Sequence, residues 1–273
     1  MLSSRTASRN AEDAPDLNDM NLMRSALTLG SLLVVGTLLA PSTALGLDPS
    51  NPANPYDFHG ALHNRGLDRI IAERETLGTS REEVGARVVQ IALQFTCGEG
   101  SVERCGYQHC PDVDPLDVVL LLHRRLESSR DEVLDFAGLE GAQREAAHEI
   151  YEALEIMSNR RLDPLSRARS AIAQIRQAEH RLLRAAGARE SEVILQAASV
   201  ARYSCAYWAK EATREATIWT LPGDDDPRPL GPIAWGTALI SDYEFAVMGS
   251  VFGPMAGGAA GIAASAFVIL VTG

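Results

Sequence analysis

Residues 145–184 read EAAHEIYEALEIMSNRRLDPLSRARSAIAQIRQAEHRLLR, two amphipathic helices with a stop built between them. In the first half, Ala147, Ile150, Tyr151, Leu154 and Met157 recur at steps of three and four and line one helical face. Asp163-Pro164 then supplies a capping carboxylate and a proline at a first helical position, where the missing N–H removes nothing. Leu165, Ala168, Ile172, Ile175 and Leu182 form a second stripe, close to a coiled-coil seam, and Gly187 ends it. The arginines at 167, 169, 176, 181 and 184 lie among Glu179, Glu190 and Glu192 and read as the wet side of that helix.

The same grammar extends in both directions. Upstream, Leu67, Ile70 and Ile71 share a face, as do Val84, Val88, Ile91, Ala92 and Phe95, behind a capping box formed by Thr79 and Ser80 with Glu82 and Glu83. Asp114-Pro115 opens a helix over 116–126, and Ser129 with Glu132 opens another. Downstream, Val193, Ala197, Val200, Ser204, Tyr207 and Trp208 line a last helix. No convincing strand alternation occurs. The expected fold is all-α: a bundle of about six helices over residues 58–220, preceded by a signal peptide and followed by a glycine-zipper-like apolar helix or helical hairpin.

The signal peptide is expected at residues 23–46. Met23-Arg24 provides the basic start, Ser25 to Gly46 is uncharged, and Pro41-Ser42-Thr43-Ala44-Leu45-Gly46 offers cleavage after Ala44 or Gly46. Residues 1–22 form a polar prefix with Glu12, Asp13, Asp16 and Asp19, which points to translation starting at Met20 or Met23. An uncleaved anchor is the alternative, because the uncharged run is just long enough to span a bilayer. Residues 47–57, rich in proline and asparagine, are expected as an extended linker in which Asp57 caps the first helix. The chain of 273 residues is 46% hydrophobic and 22% charged, an ordinary globular balance. Its net charge of -11 argues against a nucleic-acid partner, which requires a cationic face.

Export gives the four cysteines a meaning. Cys97, Cys105, Cys110 and Cys205 permit three disulfide pairings, and two bonds would tie one of the first three to Cys205. A zinc knuckle from the three clustered cysteines and His109 is the weaker reading, since the first gap is too long. His59 and His63, four apart and preceded by Asp57, form a candidate metal set. Glu145 and His148 have the spacing used in di-iron bundles but lack a second motif. No nucleophile elbow, zinc-protease motif or phosphate loop occurs, and no cofactor is expected.

The end of the chain is the least ordinary part. After a Pro/Asp-rich loop at 221–234 comes the segment 235–273, in which no charged residue follows Glu244. Gly249, Gly253, Gly257 and Gly261 recur every fourth residue and Ser265 continues the row, a flat stripe on which another helix can lie closely. Trp235 and Tyr243 stand where an interfacial belt would be. Pro254 would break the segment, so a transmembrane helix and a hairpin closed against the bundle are both consistent with the pattern.

Asn54-Pro55-Tyr56-Asp57, Gly60 and His63-Asn64-Arg65-Gly66-Leu67-Asp68, together with the Gly/Ala-rich C-terminal segment, resemble a loosely defined group of uncharacterised bacterial exported proteins. The resemblance covers the two ends of the mature chain and implies a bacterial origin without an established activity. The glycine row also resembles the membrane segments of small pore-forming bacteriocins, much shorter peptides, from which no function carries over. The expected protein is exported and non-enzymatic, its tail made for contact with membrane lipid or for self-association. A pore-forming or toxin-like protein and a metal-dependent hydrolase using Asp57, His59 and His63 are the alternatives.

Overall fold

Two stops set the middle of the bundle. Asp163 accepts from the Ser166 N–H at 2.9 Å with Pro164 at the first helical position, and Gly187 adopts a φ of 80°, open to glycine and strained for other residues. In the computed structural model, which describes residues 46–99, 129–159, 161–215, 217–220, 231–250 and 254–272, the chain is all-helical, with no strand among the described residues. The helices are α1 (Phe58–Ala72), α2 (Arg81–Glu99), α3 (Arg130–Phe136), α4 (Gly141–Glu155), α5 (Pro164–Glu190), α6 (Glu192–Glu211), α7 (Pro232–Ser250) and α8 (Pro254–Thr272), with 3-10 turns at 74–76 and 156–158. The expected capping boxes form at Ser80–Glu83 and Ser129–Glu132. The prefix, the leader, the helix expected over 116–126, Cys105 and Cys110 lie outside the described residues.

The apolar stripes find the core: Ile150, Tyr151 and Leu154 of α4 with Met157 of the following 3-10 turn, Ala168, Ile172, Ile175 and Leu182 of α5, and Val200 and Trp208 of α6 are all buried, while Leu165, at the start of the α5 stripe, is exposed. α4 pairs with α5, α5 with α6, and α1 with α6, while α7 and α8 form an antiparallel hairpin against them. α7 lies on α6, and α8 lies on α1 and α2. Gly60 and Gly66, which cost α1 intrinsic helicity, permit close approach instead. A Cβ at Gly60 would stand 2.5 Å from the Ser199 carbonyl oxygen, and one at Gly66 would strike Ile262.

Two expectations change here. Residues 51–57 turn rather than extend: Asn54 N–H donates to the Asn51 carbonyl at 2.9 Å, and Asp57 N–H to the Asn54 carbonyl at 3.1 Å, making two successive turns. Both asparagine side chains support them by accepting from backbone two residues on, Ala53 N–H at 3.2 Å and Tyr56 N–H at 2.8 Å. The second change concerns the C-terminal segment. Among the described residues no helix is long and apolar enough to cross a membrane, and Trp235 and Tyr243 are buried in the protein rather than placed at an interface. Of the two arrangements the pattern allowed, the hairpin closed against the bundle is the one observed.

Candidate functional site

Where α1, α6, α7 and α8 meet, polar side chains replace the apolar core. His63 of α1 and Asp242 of α7 are both 0% exposed, with His63 Nε2 at 2.9 Å from Asp242 Oδ1. The carboxylate accepts, so Nε2 carries the hydrogen. Asp242 Oδ2 accepts two further bonds, from Ser204 Oγ at 2.6 Å and Trp208 Nε1 at 3.1 Å, both on α6. Burial pushes the His63 imidazole down, but the facing Asp242 carboxylate, Asn64 and the Gly261 backbone outweigh it and hold the group above its ordinary value. This favours an imidazolium–carboxylate pair inside the protein.

The residue types are those of a hydrolytic triad; the wiring is not. Ser204 Oγ gives its proton to Asp242 and lies 3.5 Å from His63 Nδ1, so the hydroxyl is not aligned on the base. Ser204, His63 and Asp242 are all buried. The cluster links α1, α6 and α7.

A second cluster anchors the turns before α1. Glu179 of α5, 0% exposed, accepts from Asn51 Nδ2 and Asn54 Nδ2, each at 2.6 Å, and from Arg202 Nη2 at 3.1 Å. Asn54 Nδ2 also donates to the Leu195 carbonyl at 2.7 Å. Arg202 of α6 is itself fully buried and reaches the Pro49 carbonyl and the Asp57 carboxylate. Arg176 donates to the carbonyls of Asp48, at 2.7 Å, and Ser50. Residues 48–57 are thus a strap held by a buried carboxylate and two guanidinium groups.

No family model, curated protein or solved structure matches the chain. The functional reading rests on its own residues.

The candidate metal set does not assemble. Asp57 turns to Arg202, with Tyr203 OH donating to its other oxygen at 3.3 Å, and makes no side-chain cap on α1. His63 turns to Asp242. His59 packs against the Phe58 ring with centroids 4.1 Å apart, and burial pushes its imidazole down to about 4. Among the described residues no group of three His, Cys, Asp or Glu side chains is placed to hold a metal ion. Cys205 is free and buried in α6, its candidate partners Cys105 and Cys110 lying outside the described residues; burial, with the nearby Asp242 charge, raises the thiol well above its ordinary 9. Of the glycine row, Gly257 and Gly261 face α7. A Cβ at Gly257 would stand 2.6 Å from Ser250 Oγ, and one at Gly261 would stand 3.1 Å from the Asp242 carbonyl. Gly249 is buried, and Gly253 lies outside the described residues.

Two arginines placed on the wet face of α5 are instead committed inward: Arg167 donates to the Met157 carbonyl at 2.9 Å and lies 4.6 Å from the Trp235 ring centroid, and Arg176 grips the strap. Glu179, read with the surface acids, is the centre of the strap cluster. The sequence offered a signal for Asp242, one of two acids, with Glu244, set in an otherwise uncharged and largely apolar segment. It offered one for Arg202 too, set in a run of small and apolar residues.

Proposed function

We propose that this is an exported, non-enzymatic helical protein whose C-terminal hairpin associates with a lipid surface. The observation that carries the reading is the close helix-to-helix contact within α7–α8. Its close-packing glycines meet α7 from α8, inside the hairpin, leaving Ile262, Phe267 and Ile269 to bury their side chains elsewhere in the structure. A hairpin whose close contact is internal can move as a unit, and beyond Glu244 it carries no charge that resists an apolar surface. Self-association through the glycine row is disfavoured by the same contact, since Gly257 and Gly261 are already covered. Export rests on the leader at 23–46, and processing should yield a mature chain starting after Ala44 or Gly46.

The test is photolabelling of the mature protein by a lipid-borne carbene in anionic vesicles. Label concentrated in peptides from residues 232–272 supports the reading. Label absent, or spread evenly over α1 to α6, refutes it. Dye release from the same vesicles decides whether association extends to pore formation.

A further inference from the structure

We infer that Asp242 is the latch that keeps the C-terminal hairpin inside the body of the protein. The inference rests on the lipid-associating reading above and names its regulation. Apolar contacts do not discriminate between the protein interior and a lipid surface, because hydrocarbon tails are as apolar as leucine. The contacts that favour the body are the directed polar ones. The hairpin, residues 232–272, carries two charged residues, Asp242 and Glu244. Among the described residues, its polar attachments to the body include Arg167 over Trp235, Tyr151 OH to Glu244 at 3.2 Å, Ser250 Oγ to Gln196 at 3.2 Å, and the Asp242 cluster.

Asp242 dominates this set. Its two oxygens take three donors, from two different helices of the body, with every partner fully buried. A carboxylate drawn away from those donors into an apolar phase would meet none, and an ionised group buried without partners is strongly disfavoured. The closed hairpin is therefore held where Asp242 is solvated by the protein itself. α8 is tied to the same point, since Gly261 lies against the Asp242 carbonyl and His63. Release of Asp242 frees both helices together.

The experiment is hydrogen exchange on the full mature protein, comparing wild type with Asp242→Asn. Asparagine keeps the shape but sets an N–H₂ among converging donors. Exchange in residues 232–250 and 254–272 should rise about tenfold or more while α4 and α5 keep their protection. An unchanged rate, or an equal rise in every helix, overturns the latch. Trp208→Phe is the milder variant, removing one donor and keeping a ring; it should loosen the same two helices less, and no local loosening there counts equally against the inference. Both variants are then sedimented with vesicles of equal parts phosphatidylglycerol and phosphatidylethanolamine. Tighter binding than wild type supports latch and lipid reading together. Local opening without vesicle binding leaves the latch standing and refutes the lipid reading.

Discussion

Glu244 offers a quantitative test of how the hairpin is seated. Its side chain is nearly buried between α7 and α4, and Tyr151 OH donates to it at 3.2 Å. Burial is the main influence on it and pushes the carboxyl from an ordinary 4.5 up to about 7, against the Tyr151 hydrogen bond and the Arg130 charge, which pull the other way. The folded state thus binds the proton more tightly than the unfolded chain. Below pH 4.5 both states hold it, and Glu244 makes no difference. Between 4.5 and about 7 the unfolded chain loses the proton first, so stability falls as pH rises, and above 7 the full penalty is present. Two and a half decades of proton affinity, at about 1.36 kcal/mol each, give a penalty of about 3 kcal/mol at pH 8.

Glu244→Gln keeps an acceptor for Tyr151 and removes the titration. The variant should therefore gain on wild type by about 2 to 3 kcal/mol between pH 5 and pH 8. Urea unfolding followed by tryptophan fluorescence at several pH values reads this directly, and contributions from other groups cancel in the difference. Parallel stability curves for the two proteins, separated by a constant offset, would refute the assignment of Glu244 as a buried, under-partnered acid.

His59 should act in the opposite sense. Its imidazole is held neutral by burial, so stability is lost as pH falls from 6.5 towards about 4, and thermal melts of His59→Phe should lack that loss of about 3 kcal/mol. Glu179→Gln leaves the buried Arg202 guanidinium short of one of its two counter-charges and should destabilise by about 3 to 5 kcal/mol in urea; a loss below about 1 kcal/mol would show the strap cluster to be incidental. Cys205 should resist iodoacetamide in the folded protein and react once urea is added, with the modified peptide identified by mass; labelling under native conditions contradicts its buried place in α6.

The fold was largely legible in sequence because its signals are local. The Asp163-Pro164 stop, the two capping boxes and the 3.6-residue stripes each depend on residues within one or two turns, and each appears where the pattern puts it. The candidate site was not legible, because its partners are far apart in the chain. Glu179 reaches Asn51 across 128 residues, and His63 reaches Asp242 across 179. Helical periodicity places a residue on a face but does not name the helix opposite. The wet-face reading failed at Glu179 for a related reason. A glutamate flanked by charged neighbours reads as solvated until the strap's two asparagines fold over it. Asp57 was misread through a competing option, since a carboxylate before a helix can cap the backbone or meet a distant guanidinium, and Arg202 takes it.

Asp242 and Glu244 stand two positions apart on α7, and successive residues on a helix are turned by about 100°. Their side chains therefore leave α7 on opposite sides, one towards α1 and α6, the other towards α4. One meets three donors and the other one. The hairpin is thus gripped firmly on one flank and loosely on the other, and the loose flank is the side whose carboxyl changes charge near neutrality. Opening from the α4 side first, with the Asp242 cluster as the last attachment, follows from that asymmetry. A purely apolar hairpin of the same shape would have no preferred side from which to leave.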